Sequence, residues 1–388
     1  DLAFSPTNDR LLAALGSEPA IRLWDLANHM ELATLQPDDD EEIRSLVFHP
    51  DGRMLITGDA KGMVKLWDAH LRRRENVLIA GPSPTMPLGI STDGQTLVTI
   101  NAGGSLRYWD LPSAGEIESR RLQIDLAGVF TDDFEVLAPA LSPDLKVLAI
   151  GMEDGGLQLW DLSQKKPAFL DAHAGRVRNQ VFSADSHKLA TVGEDRQVHV
   201  WDVAARRKLR TLGLERELPD LTFNTPMAWS ADGKTLAVAD SEALYLWHWQ
   251  SGDRAQRLAQ SSMVIALRFG PDHKSLVSGH RAHIFRLWDV SQAELVDTQR
   301  TGHYDGVYDL CFSPDGRTMV TVVDTIKLWD MRGRQELLTL RGHERTIFAA
   351  LFAPDGNNLV TADYSGVVRL WHAPSWAEIV AAGKSRGP

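Results

Sequence analysis

The stretch Phe312–Asp330, FSPDGRTMVTVVDTIKLWD, decides the fold. Phe312 ends an apolar run. SPDG is a tight turn in which Pro presets φ and Gly supplies a positive φ. Two short apolar runs follow, and the second ends in Trp329 and Asp330. One such stretch means little. Its recurrence settles the architecture.

The turn returns nine times, as SPTN from Ser5, HPDG from His49, STDG from Ser91, SPDL from Ser142, SADS from Ser183, SADG from Ser230, GPDH from Gly270, SPDG from Ser313 and APDG from Ala353. A Trp follows 15 to 18 residues after the second turn residue each time: Trp24, Trp67, Trp109, Trp160, Trp201, Trp247, Trp288, Trp329 and Trp371. Asp follows seven of these; His follows Trp247 and Trp371. The spacing is 41 to 43 residues except for 51 before Trp160 and 46 before Trp247. Nine of twelve tryptophans on one register exclude coincidence.

A Trp-Asp mark with a period of ~40–45 residues is a propeller signature. On these residues the chain resembles the WD-repeat (WD40) family of β-propellers over nearly its whole length. The resemblance is specific for fold and nearly silent on function. The runs themselves read as strands: LVFHP and LCFSP, then RMLITG, KLATVG and NNLVTA, then VKLWD, VHVWD and VRLWH with period-two alternation, then weaker fourth strands such as RKLRTL and QELLTL. A four-stranded sheet cannot bury both its faces alone, so it stacks on neighbours around an axis.

The expected fold is therefore an all-β propeller of four-stranded antiparallel sheets over residues 1–383, with a loose tail at 384–388. A single nine-bladed ring is preferred, because two leftover blades would expose apolar faces and a bare edge. A seven- or eight-bladed ring with extra blades, or a fragment of a double propeller, are the alternatives. Asp1 already lies in a first strand, so Ser375–Gly383 (SWAEIVAAG) is expected to complete the last sheet without strand exchange.

The resemblance also implies a hydrogen-bonded network of His, Ser or Thr, Asp and Trp. Repeat five carries it as His173, Thr191, Asp195 and Trp201. Repeat eight carries it as His303, Thr321, Asp324 and Trp329, with Asp324 one residue closer than usual. Repeat nine has His343, Thr361 and Trp371, with Ser365 where Asp is expected. Repeat four keeps Asp154 and Trp160 and lacks the His. Repeats five and eight are thus expected to be the stiffest.

A net charge of −11 argues against nucleic acid and acidic membranes as partners. No run of about 18 apolar residues spans a membrane. The single cysteine, Cys311, excludes an intrachain disulfide and suits a reducing cytoplasm. In the run VYDLCFS it reads as a small buried hydrophobe. The HExxH, GxxxxGK[ST] and GxSxG patterns are missing. His280 and His283 read as exposed turn residues, not metal ligands, and the turn Asp residues cap turns. We therefore expect no catalytic site, metal or cofactor. The runs at Arg72 and Arg206 read as solvated outer strands.

Residues at the entry to each first strand vary between repeats, as expected where a ring meets a ligand. The candidate partner contacts are Glu42, Arg44, Arg176, Arg178, Asp305, Tyr308, Arg345 and Phe348, since Arg and aromatic residues dominate protein hot spots. The interval Leu111–Leu141, including Phe130–Phe134, reads as an enlarged loop, or as a docking element. The function expected is a monomeric, non-catalytic scaffold or recognition domain that takes a protein or peptide on its loop face, as part of a longer polypeptide. The alternatives are an autoinhibitory domain whose ligand is its own upstream domain, and an enzyme or small-ligand sensor using the central channel. The PDG turns and Ala/Leu-rich texture look like bacterial members of the family, where such repeats are joined to kinase, NTPase or peptidase-like domains.

Overall fold

The computed structural model describes residues 2–5, 11–15, 21–26, 30–35, 43–48, 54–59, 64–68, 76–79, 85–101, 103–113, 115–117, 121–124, 139–213, 225–240, 243–251, 255–259 and 262–372. Among these every regular element is a strand. Repeat five shows the unit. Val177–Phe182, Lys188–Gly193, Gln197–Asp202 and Arg207–Gly213 pair in sequence order as an antiparallel four-stranded sheet.

All nine marking tryptophans take equivalent places. Each stands on the third strand directly across from an apolar residue of the second: Leu12, Leu55, Leu97, Leu148, Leu189, Leu236, Leu276, Met319 and Leu359 in turn. The period in the sequence is thus a period in the sheets.

The turn between first and second strands is held by its own side chains. In repeat eight the Ser313 hydroxyl donates to Asp315 across 2.7 Å and accepts from the Thr318 N–H. Asp315 accepts in addition from the Arg317 N–H. Gly316 sits at φ 70°, which Gly adopts without steric cost. The same Ser–Asp clamp recurs at Ser91/Asp93, Ser142/Asp144, Ser183/Asp185 and Ser230/Asp232.

The cores lie between sheets. Repeat four packs on repeat five through Leu157, Val177 and Leu189, and five on six through Val192, Val200, Met227 and Trp229. Six packs on seven, seven on eight, and eight on nine in the same manner. Repeat three packs on four through Val98, Leu106, Leu148 and Ile150. Its other face, with Leu97, Trp109 and Leu111, packs on Val360, Val368 and Leu370 of repeat nine. Each fully buried Leu in these seams is worth ~1.5–3 kcal/mol.

This packing differs from a succession of nine sheets in sequence order, in which repeat three would follow repeat two. Repeats one and two pack on each other through Ala13, Ile21, Leu23, Leu46, Phe48 and Leu55. Repeat one joins the others edge-on, its outer strand Met30–Leu35 pairing with the outer strand Gln335–Leu340 of repeat eight.

Strand exchange is present where it was not expected. Asn76–Ile79 follows repeat two in sequence but pairs antiparallel with the third strand of repeat nine, Val368–His372. It occupies the place expected for Ser375–Gly383, which lies outside the described residues, as does the tail at 384–388. A fourth strand adds only backbone pairing to a sheet edge, so local sequence does not specify which sheet receives it.

One buried carboxylate ties three successive sheets together. Asp309 of repeat eight accepts from Arg268 of repeat seven (3.0 Å), from its neighbour Leu310 N–H (2.9 Å) and from Ala350 N–H of repeat nine (3.0 Å).

Candidate protein-interaction site

The site is built on the His networks. In repeat five His173 Nδ1–H donates to Asp195 (2.9 Å), His173 Nε2 accepts from the Thr191 hydroxyl (2.8 Å), and Thr191 accepts from the Trp201 N–H (3.0 Å). In repeat eight His303, Asp324, Thr321 and Trp329 make the same bonds at 3.0 Å each. In both networks the two ring nitrogens, the Thr hydroxyl and the indole N–H are all bonded, which a buried network requires. Space is tight: a Cβ on Gly193 would lie 2.5 Å from the His173 ring. Burial holds His173 below the ordinary imidazole range, only partly offset by Asp195. Burial pushes Asp195 up, but the Ala174 N–H, His173 and the Gln197 N–H outweigh it and hold the carboxylate ionised.

Repeat nine has the network too, with a different acid. His343 donates to Asp363 rather than to position 365, and His343 and Trp371 both bond Thr361 at 2.7 Å. Ser365 donates to the same Asp363 carboxylate, so the residue expected to break the network supports it. Repeat seven has a variant. His280, expected at an exposed turn, is fully buried; it bonds Ser278 (2.8 Å) and the Ser262 carbonyl, and Ser278 accepts from Trp288. His283 is exposed.

His173, Asp195 and His199 lie close enough together to suggest a metal site. Their lone pairs are committed elsewhere. His199 accepts from Lys208 and bonds Thr211, and it stacks on His173 with ring centroids 4.4 Å apart. An ammonium donating to an imidazole nitrogen leaves nothing there for a cation.

The His–Asp bonds tie the loop before the first strand to the loop between the second and third in repeats five and eight, and to the end of the second strand in repeat nine. The exposed aromatics sit directly on these anchors. Tyr304 follows His303, and Tyr364 follows Asp363; they are 63% and 45% exposed. The Tyr304 hydroxyl bonds Thr346 across the seam at 3.1 Å. The Tyr364 N–H donates to the Thr346 carbonyl. Phe348 lies against the Tyr364 ring with centroids 4.8 Å apart. Tyr308 donates to Asp305 (3.0 Å), and burial, then Asp305, pushes its phenol up to about 12. The Gly306 N–H holds Asp305 below the usual carboxylate range. Arg345, which precedes Thr346 in sequence, is exposed.

The structure thus gathers Asp305, Tyr308, Arg345 and Phe348 on one rim and adds Tyr304 and Tyr364. Tyr364 was missed because the network was expected two residues later. Arg176 and Arg178 lie apart, on repeat five, and are paired internally: Arg176 with Glu153 of repeat four at 2.9 Å, Arg178 with Glu194 at 2.6 Å. Glu42 and the Arg44 side chain lie outside the described residues, as does Phe130–Phe134. The described start of the long interval is not all loop. Gly115–Glu116 and Leu122–Gln123 both pair with Ser105–Asp110 as a divided outer strand.

The family model "WD domain, G-beta repeat" matches residues 30–68, 164–202, 296–330 and 334–372. The all-β, four-stranded antiparallel sheets are consistent with a WD40 β-propeller. Human apoptotic protease-activating factor 1 is 21% identical, over 95% of this chain and 32% of the relative. Bovine transducin beta-like protein 3 is 22% identical, over 98% and 48% respectively. Periodic tryptophan protein 2 of Arabidopsis thaliana is 27% identical, over 65% and 28%. The chain therefore spans less than half the length of these relatives. They are eukaryotic, and the bacterial character expected from the turns finds no support in them. No helix among the described residues is long and apolar enough to cross a membrane.

Proposed function

We propose that the chain is a non-catalytic protein-interaction scaffold that takes its partner on the rim of repeats eight and nine. The observation that carries this reading is the pair of exposed tyrosines, Tyr304 and Tyr364, each one residue from a buried network anchor. An exposed aromatic held by a stiff base loses little freedom on binding, which is what an interface hot spot needs. Arg345 and Asp305 supply charge of both signs at the edge, suited to orienting a polypeptide.

In this reading repeats three to nine form one ring of seven sheets. The seam between repeats three and nine supports it, as does Asn76–Ile79 in the outer place of repeat nine. Repeats one and two stand outside that ring, so the unit is residues 76–372 rather than 1–383. The work is assigned to the cytoplasm, in keeping with the lone buried Cys311.

The test compares proteins captured by the wild-type chain and by a Tyr304→Ala/Tyr364→Ala variant that melts at the same temperature. Specific captures lost in the variant support the rim. Captures unchanged in the double variant and lost in Arg178→Glu would move the site to repeat five.

A further inference from the structure

Among the described residues, repeats one and two leave open three surfaces whose counterparts in the other repeats are covered. The first is an edge. In eight repeats the third strand has an outer partner; in repeat two Val64–Asp68 pairs only with Met54–Asp59 among the described residues. Its own continuation, Asn76–Ile79, has gone to repeat nine. A third strand left open presents unpaired N–H and C=O groups, a template for one more strand.

The second surface is the outer face of repeat one. Leu2 and Phe4, on its first strand, are each 63% exposed. Counted from the turn, Leu310 in repeat eight and Leu267 in repeat seven hold the place of Leu2, and both are buried. Leu310 is covered by Val277 and Phe285 of the preceding repeat. The third surface is the opposite face of repeat two, where Val47 is 55% exposed. Cys311, its counterpart in repeat eight, is buried against Ile347 and Ala350 of the following repeat. Between them, repeats one and two bury a normal seam, so both sheets are built to stack.

The direction of each bare face says what covers it. Leu2 and Phe4 occupy the side that a preceding repeat covers. Val47 occupies the side that a following repeat covers, and repeat three is committed to repeat nine. A stack that needs a sheet before it and a sheet after it, with its successor in sequence used elsewhere, closes only as a ring that returns to its own first repeat. Asn76–Ile79 shows how such a return is sealed here: the strand ahead of a ring's first repeat becomes the outer strand of its last.

We propose that repeats one and two are the last two blades of a second ring, whose other sheets are further WD-type repeats N-terminal to Asp1 in the same polypeptide. The strand preceding the first of those repeats pairs antiparallel with Val64–Asp68. The edge-on pairing of Met30–Leu35 with Gln335–Leu340 then joins the two rings side by side and leaves both stacking faces free. This inference does not depend on which protein meets the rim of repeats eight and nine.

The experiment measures amide hydrogen exchange of Val64–Asp68 in the 388-residue chain and in the natural polypeptide extended N-terminally. The expected result is protection on the order of 100-fold greater in the longer polypeptide, as for a strand moved from an edge to an interior place. Equal rates in the two overturn the proposal: both fast means an edge that stays open, and both slow means a strand from within residues 1–388. Protection that rises with concentration of the shorter chain also overturns it, in favour of a second copy. A second readout is Val47→Asp. It leaves the melting of the 388-residue chain unchanged and lowers that of the longer polypeptide; no difference between the two contradicts the covered face.

Discussion

His343 donates to Asp363 across 2.6 Å, and both side chains are closed off from solvent. This pair places the acid of the repeat-nine network on the last residue of a strand rather than in the loop beyond it. Ser365 then serves the carboxylate as a second donor.

Asp363→Ala should lower stability by about 2–3 kcal/mol, because it strands a buried imidazole donor. Ser365→Ala removes one of several donors to the same group and should cost about 1 kcal/mol. Urea unfolding followed by tryptophan fluorescence checks both. A Ser365 variant as damaged as the Asp363 variant would contradict this ranking.

Stability should fall with pH well above the carboxylate range. Burial lowers His280 to about 4, and burial followed by the neighbouring His173 lowers His199 to about 4. The unfolded chain takes up protons near pH ~6.5. Between these values the unfolded state binds more protons, so the contribution is complete above about pH 6.5 and lost as pH falls through about 4. His280→Asn should reduce the slope of unfolding free energy against pH in that window by about 1 kcal/mol per unit. An unchanged slope would sink the assignment. Asp363 adds a separate acid loss. Burial pushes it up, yet the His343 and Ser365 bonds hold it below the usual range, so its contribution disappears only as pH falls under about 4.

Asp309→Ala should cost about 1–3 kcal/mol, since it leaves the buried Ala350 N–H without its acceptor and removes the Arg268 pairing at the junction of three sheets. Cooperativity is the sharper readout. Loosening of repeats seven, eight and nine together, seen as faster amide exchange across all three, is expected. Effects confined to repeat eight would show that the bridge carries little between sheets.

His273 adopts φ 62° at an exposed turn where other repeats place Gly94, Gly233, Gly316 and Gly356 at φ 67–71°. His273→Gly should stabilise the chain by about 0.5–1 kcal/mol, as relief from the left-handed region exceeds the added freedom of the unfolded chain. A lowered melting temperature would show that the His273 side chain makes a contribution the backbone argument omits.

The strands and the placement of Trp were legible because burial repeats with the pleat, and a Trp facing a Leu leaves a regular mark. The networks of repeats five and eight were legible because their residues stand at fixed offsets. Three features were not. NVLI at 76–79 reads as the fourth strand of its own repeat, since outer strands are chosen by which edge is vacant and not by their sequence. Asp363 was missed because a hydrogen bond tolerates a shift along the loop that a motif register does not. The pairing of Arg176 and Arg178, offered as partner contacts, was not legible because Glu153 and Glu194 come near only once the chain is folded.

The pairing of Ile79 with Val368 sets a timetable for biosynthesis. The two segments lie roughly 290 residues apart in the chain, and at about 5–20 residues per second the first leaves the ribosome some 15–60 s before the second. Throughout that interval the nascent molecule carries an unlatched strand at one end and a raw sheet flank at the other. A slow patch of codons late in the message, or a shortage of chaperones, should therefore injure this protein more than loss of any single side chain on its surface.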